Sequence, residues 1–364
     1  MKKTVFLLLV FAALQLSAQK DPMPIGVAGL THGHVNWVFG AQKSGDITIV
    51  GIVEPNTDLA KRYMEQYGLS MDLVFDNMEK MLTKKKPVAV TAFGSIHEHL
   101  AVVEACAPKG IHVMVEKPLA VSVAHAKKME ALAKKHKIHL LTNYETTWYP
   151  TNHKAYELLK KGDIGDVRKV IVRDGHKGPK KIGVQKEFLD WLTDPVQNGG
   201  GALIDFGCYG ANLLTWLHEG KRPNTVTAVT QQLQAENNPK VDDDCTILLT
   251  YDNSMAILEP SWNWPIGRKD MEIYGEKGVV YADNRHDMRI RISEGYDGFS
   301  EEKFKLEERK APFDDPFRLF TAVIRGEIEL KPSDLSSLEN NMIVVEILEA
   351  ARESAQTGKT IDLK

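Results

Sequence analysis

Cysteine is scarce in this chain, three in 364 residues. Cys106, Cys208 and Cys245 are too few for a disulfide framework, and their spacing fits no zinc motif. Each lies in or beside an apolar segment, so buried free thiols are expected. An excess of charge is also missing. The 46 basic and 49 acidic residues leave a formal charge of −3, which provides no footing for nucleic acid or an anionic membrane. No apolar run reaches the roughly 20 residues that a membrane helix needs. The longest, Thr4 to Leu16, follows the basic head Met1-Lys2-Lys3 and precedes Ser17-Ala18-Gln19. That order predicts a Sec-type signal peptide over residues 1–19, and hence an exported, periplasmic protein with no membrane span after processing. Twin arginines and a lipid-attachment cysteine are lacking. So are repeats, low-complexity linkers and heptads, and the length favours two compact domains.

What is present divides into two rhythms. From residue 22 to 143 short apolar segments alternate with helical patterns. Ile25–Ala28, Ile47–Val53, Val88–Thr91, Ile111–Val115 and Ile138–Leu141 read as strands, with a further short one at Leu73–Phe75. Strands without polar alternation imply a parallel sheet covered on both faces, here a doubly wound, Rossmann-like α/β domain of strand order 3-2-1-4-5-6. From 144 to 364 a different pattern sets in, with a run of turn-linked strands between Thr225 and Ile292 and closing helices at Phe317–Arg325 and Leu335–Ser354. This predicts an α+β domain built on a large, open mixed sheet.

The first strand runs into Gly29-Leu30-Thr31-His32-Gly33-His34. A dinucleotide fingerprint would place glycines at 29, 31 and 34, to turn tightly and bring a helix N-terminus to the pyrophosphate. Only Gly29 is in place, with Thr31 and His34 at the other two positions. The second strand ends in Glu54, a carboxylate suited to the ribose hydroxyls of NAD and repelling the 2′-phosphate of NADP. Gly29, Thr31, His32, His34 and Glu54 are therefore read as cofactor-binding. In the predicted strand order His32 and His34 approach His97 and His99. His97 is read as a polar contact to cofactor or substrate and His99 as structural. No metal is expected, because no Cys, Asp or Glu in the sequence completes a recognisable ligand set.

Val115-Glu116-Lys117-Pro118 places a lysine beyond the fifth strand, where open α/β sheets present their ligands. Farther on, Asn198-Gly199-Gly200-Gly201 leads into Asp205, Tyr209 and Asn212, which share one face of a helix that begins at Asp205. Lys117 beside Tyr209 would favour the phenolate, and oxidation of a hydroxyl needs such a base together with a hydride acceptor. Cap and packing roles for Asp205 and Tyr209 are the alternative.

Glu116-Lys117-Pro118 and the later Gly-Gly-Gly-x-Leu-x-Asp-x-Gly-x-Tyr-x-x-Asn run resemble the glucose–fructose oxidoreductase, inositol dehydrogenase and rhizopine catabolism (Gfo/Idh/MocA) family, in its branch with Tyr209 and Asn212 rather than His and Asp. The resemblance implies Lys117 and Tyr209 as the catalytic pair, Asp205 as a sugar-orienting group, Glu116 on the nicotinamide side, a cis Lys117–Pro118 bond and assembly as a dimer or tetramer. Two departures stand out: the depleted glycine fingerprint, and Asn143-Tyr144-Glu145-Thr146-Thr147-Trp148, which lacks the family's arginine. Asn212 and His176 are read as substrate contacts. Trp191, Trp262 and Trp264 are read as candidate stacking faces for a pyranose. The expected activity is NAD-dependent oxidation of a sugar, polyol or glycoside hydroxyl, with a tightly held cofactor reconciling export with the scarcity of free NAD. Redox-neutral glycoside hydrolysis or elimination is the second reading, and a non-catalytic sugar- or nucleotide-binding protein the third.

Overall fold

The computed structural model describes residues 21–363, so the predicted signal peptide lies outside the described residues. Six parallel strands come first: β1 (Met23–Ala28), β2 (Ile47–Val53), β3 (Val74–Phe75), β4 (Ala89–Ala92), β5 (His112–Glu116) and β6 (Leu140–Asn143). They pair in the order β3-β2-β1-β4-β5-β6, the predicted doubly wound arrangement. The order in which strands are added reverses between β1 and β4, which opens a crevice at their carboxyl ends. Local chemistry sets the helices that cover this sheet. In Thr57–Tyr67, Asn56 caps the start by accepting from the Asp58 and Leu59 amides, while Gly68 at φ 64° ends it. Leu59, Ala60, Tyr63 and Met64 form its buried stripe.

The second sheet has nine strands: β7 (Val167–Gly175), β8 (Thr225–Gln231), β9 (Asp244–Thr250), β10 (Met255–Ser261), β11 (Arg268–Gly275), β12 (Gly278–Ala282), β13 (Asp287–Glu294), β14 (Gly298–Lys305) and β15 (Ile361–Asp362). Their order is β14-β13-β12-β11-β7-β10-β9-β8-β15. Central β7 runs parallel to β10 and antiparallel to β11, so the sheet is mixed as expected. Helix Gly207–Leu217 lies against it and is buried along nearly its whole length.

Three elements tie the two sheets together. Helix Pro316–Ile324 returns to the first sheet, where Phe317, Leu319, Phe320 and Val323 join the core of β1 and β2. Helix Leu338–Thr357 serves both cores, with Met342 and Val345 in one and Val344, Ile347 and Leu348 in the other. The segment with short helices Pro179–Ile182 and Lys186–Leu192 reaches across to the first domain. Among the described residues, no helix is long and apolar enough to cross a membrane.

Candidate active site

Lys117 follows β5, and its peptide bond to Pro118 is cis. The side chain is buried, and its ammonium forms an ion pair with Asp205 Oδ1 while also donating to the Asp205 carbonyl at 3.0 Å. Trp262 Nε1 donates to Asp205 Oδ2 at 2.9 Å, so both carboxylate oxygens are engaged. Asp205 ends the short helix Ala202–Asp205, and Phe206 breaks the chain before the next helix starts at Gly207. Tyr209, one turn on, sets its ring 5.1 Å from Lys117 Nζ and 5.0 Å from Lys269 Nζ. Lys269 is in turn paired with Glu145, which accepts from Tyr149 Oη at 2.5 Å. Among the described residues the Tyr209 hydroxyl has no hydrogen-bond partner.

Burial works against the Lys117 ammonium, but Asp205 outweighs it and holds the Lys117 pKa above its ordinary value. Asp205 is correspondingly held low, the attraction of Lys117 exceeding the cost of burial. Burial, reinforced by Glu145, pushes the Tyr209 phenol well up. The expectation that Lys117 makes Tyr209 acidic is therefore corrected. The lysine's charge is spent on Asp205, and the low-polarity surroundings disfavour a phenolate.

Glu116 lies beside this pair. It meets His34 Nδ1 at 2.9 Å and accepts from Asn143 Nδ2 at 2.7 Å. Burial would raise its pKa, yet the His34 charge and these bonds bring it down to about 2. His34 stacks on Trp37, and the His34 amide donates to His32 Nδ1 at 3.0 Å. The ligand atoms of His32, His34 and Glu116 all lie within 4.8 Å of one another. The reading that no carboxylate joins the histidine pair is corrected by Glu116, which comes from 82 residues farther along the chain. The two histidine pairs do not converge. His97 turns its ring to His125 at 5.1 Å, and His99 bonds the Leu119 carbonyl.

The residues fit a dinucleotide at the switch point. Gly29 has φ +83°, and a Cβ there would come within 2.7 Å of the Gly94 nitrogen, so only glycine allows this close turn. Glu54 is buried at the end of β2, accepting from the Leu30 and Asn56 amides at 2.9 Å each and retaining lone pairs for ribose hydroxyls. Over loop 29–34 lies the strap from the second domain. Gln185 Nε2 donates to the Thr31 carbonyl at 2.6 Å, Trp191 Nε1 donates to Thr31 Oγ1 at 2.9 Å, and Phe188 packs on His32 at 4.7 Å.

Other predicted contacts are placed elsewhere. Asn212 is fully buried and donates to the Leu335 carbonyl at 2.8 Å, joining helix Gly207–Leu217 to the loop before the bridging helix, because the break at Phe206 alters the face that Asp205 and Asn212 were expected to share. Trp262 is fully buried and holds Asp205, so it offers no stacking face. Trp191 belongs to the strap, and Trp264 carries Arg268 over its ring at 5.0 Å. His176 is set near Asp205, edge-on to Phe206 at 5.0 Å. The sequence reading missed Glu145, Lys269, Gln185 and Asp174. A carboxylate continuing the inward-facing series Val170, Val172 was a legible sign of Asp174, whereas Lys269 had none.

Two family models match: an oxidoreductase family with an NAD-binding Rossmann fold over residues 24–144, and the GFO/IDH/MocA C-terminal domain over residues 152–281. The chain belongs to the Gfo/Idh/MocA oxidoreductases and, as such, is a redox enzyme with an NAD-binding Rossmann fold. Among curated relatives, it is 26% identical to a trans-1,2-dihydrobenzene-1,2-diol dehydrogenase of Xenopus tropicalis, over 86% of this chain and 91% of that one. Its fold matches an aldose-aldose oxidoreductase of Caulobacter crescentus complexed with glycerol at a TM-score of 0.76 and 22% identity, covering 94% of this chain and 100% of that one. An inositol dehydrogenase homolog of Azotobacter vinelandii complexed with NAD+ matches at a TM-score of 0.81 and 16% identity, covering 94% and 97%.

Proposed function

We propose that the protein is an NAD-dependent dehydrogenase of a sugar, polyol or glycoside hydroxyl, exported with its cofactor held under the strap. The observation that carries this reading is the buried Lys117–Asp205 pair beside the unpartnered Tyr209 hydroxyl, at the carboxyl ends of the first sheet's strands. The family match and the acceptor and donor types around the pair support it, as do the sugar-, diol- and inositol-related names of the similar proteins.

In this scheme the substrate hydroxyl lies between Tyr209 and Lys117. Tyr209 exchanges the hydroxyl proton, while Lys117 holds the oxygen and stabilises its developing negative charge. Asp205, fixed by Trp262, aims the ammonium. NAD, when bound, supplies the hydride acceptor, so that alcohol becomes carbonyl with one proton released. Glu116, locked by His34 and Asn143, orders the neighbouring wall.

The test is absorbance at 340 nm with NAD and a panel of D-glucose, myo-inositol and methyl β-D-glucopyranoside. Lys117→Met and Tyr209→Phe should each lower kcat by about a thousandfold, within the range of general acid–base loss. Lys117→Met strands the Asp205 charge, so Lys117→Met with Asp205→Asn serves as its folded control. Full rate in Lys117→Met would remove the assignment.

A further inference from the structure

Asp174 closes β7 on the inner face of the second sheet, in register with Lys269 on β11 and Pro260 on β10. It continues the buried alternation Val170, Val172, Asp174, and the two valines lie in the core cluster that contains Tyr209. The residue is 2% exposed, and its carboxyl has no hydrogen bond or ion pair among the described residues. Every other carboxylate of the site is engaged. Asp205 holds Lys117 and Trp262, Glu145 holds Lys269 and Tyr149, and Glu116 holds His34 and Asn143.

A buried carboxyl without a partner is costly, so the fold sustains one here at the expense of stability. Burial pushes the Asp174 carboxyl well above the carboxylate range, Lys269 pulling it back and Asp270 and Glu145 adding to the rise. That shift favours the protonated form, which carries one O–H donor beside free acceptor lone pairs. That combination matches a hydroxyl, which also donates and accepts. The two ammoniums near Tyr209 are already paired with Asp205 and Glu145, so neither of them is free to receive a carboxylate or phosphate on the substrate.

We infer that Asp174 is a specificity-determining residue that binds a hydroxyl of a neutral polyhydroxylated substrate next to the reacting carbon, and that the site discriminates against sugar acids and sugar phosphates. This rests on the dehydrogenase reading above. Lys269, the cross-strand neighbour of Asp174, sets its ammonium 5.0 Å from the Tyr209 ring, and this link through Lys269 is the basis for a second substrate hydroxyl meeting Asp174 when the first meets Tyr209.

The experiment measures NAD reduction by the full chain with D-glucose, myo-inositol and methyl β-D-glucopyranoside against D-glucuronate, D-gluconate and D-glucose 6-phosphate, in wild type, Asp174→Leu and Asp174→Asn. Neutral substrates should win in kcat/KM. Asp174→Leu should raise KM roughly tenfold or more with a smaller change in kcat, as loss of a buried hydrogen bond to substrate requires. Its thermal midpoint should hold or rise, an outcome that a purely structural role would reverse. Should Asp174→Leu lose cooperative unfolding, Asp174→Asn decides, with a KM at least threefold above wild type expected. An unchanged KM in the folded variants, or preference for the acidic substrates, overturns the role of Asp174 while leaving the dehydrogenase intact. A wild type that reduces NAD with none of the six compounds overturns the dehydrogenase reading, and this inference with it.

Discussion

Lys117 and Tyr209 both carry their protons at neutral pH, and this has a direct kinetic consequence. Asp205 holds the lysine pKa above its ordinary value, and burial lifts the tyrosine well above its own. Carbonyl reduction needs a proton donor, which is already in place. Hydroxyl oxidation needs a proton acceptor, which exists only in the small deprotonated fraction. As pH rises toward a pKa from below, that fraction grows in proportion. Oxidation is therefore expected to climb by about tenfold per pH unit between pH 7 and 10, with reduction nearly flat over the same interval. Initial rates in both directions, with NAD and NADH, give the two profiles. A plateau of oxidation near pH 7 would show that substrate binding releases Lys117 from Asp205 and lets it acidify Tyr209. Trp262→Phe frees one oxygen of Asp205 and should shift the oxidation profile without shifting a Tyr209→Phe baseline.

At the scale of elements, the strap decides how firmly the first domain's loop is held. Gln185 and Trp191 bond the Thr31 carbonyl and hydroxyl, Tyr63 bonds Gln185, and Arg62 pairs with Glu187. The partly exposed Arg62–Glu187 pair contributes little, whereas the half-buried bonds at Thr31 are costlier to break. Gln185→Ala with Trp191→Phe should release NADH roughly tenfold faster than wild type, read as the decay of cofactor fluorescence after mixing with excess NAD. An unchanged off-rate would mean that the cofactor is retained by loop 29–34 alone. This strap was also the least legible part of the chain. Its helices are seven residues or fewer, too short for a helical period to declare itself. The six strands of the first sheet were legible because they are apolar without interruption. Strand β14 was not, since Gly298–Lys305 is an edge strand exposed along almost its whole length and has no apolar face to advertise it. The same division holds for the site. Lys117, Asp205 and Tyr209 sit in recognisable runs, whereas Glu145 and Lys269 are 124 residues apart and only the sheet-to-sheet contact pairs them. Asn212 was misplaced because helical spacing was counted through Phe206, where the helix is broken.

Across the whole molecule, helix Leu338–Thr357 is built into the cores of both domains. Met342 and Val345 fill the first core, and Val344, Ile347 and Leu348 fill the second. Helix Pro316–Ile324 adds a second tie, with Arg318 paired to Asp46 at its edge. Separate domains joined by a mobile linker would unfold in two steps. Here the two cores share one helix, so a single cooperative transition is expected. Leu348→Ala removes a nearly fully buried side chain and should cost about 2–5 kcal/mol. Although Leu348 packs in the second core, the variant should lower the midpoint of both domains equally. Trp37 and Trp148 report on the first domain, and Trp216 and Trp262 on the second. Tryptophan fluorescence of Trp→Phe variants that leave one domain's reporters in place, followed through urea unfolding, separates the two signals. Coincident curves that shift together in Leu348→Ala establish the coupling. A first-domain curve that stays in place while the second moves would show that each core holds its own half of the helix, and that closure of the crevice between them is independent of fold stability.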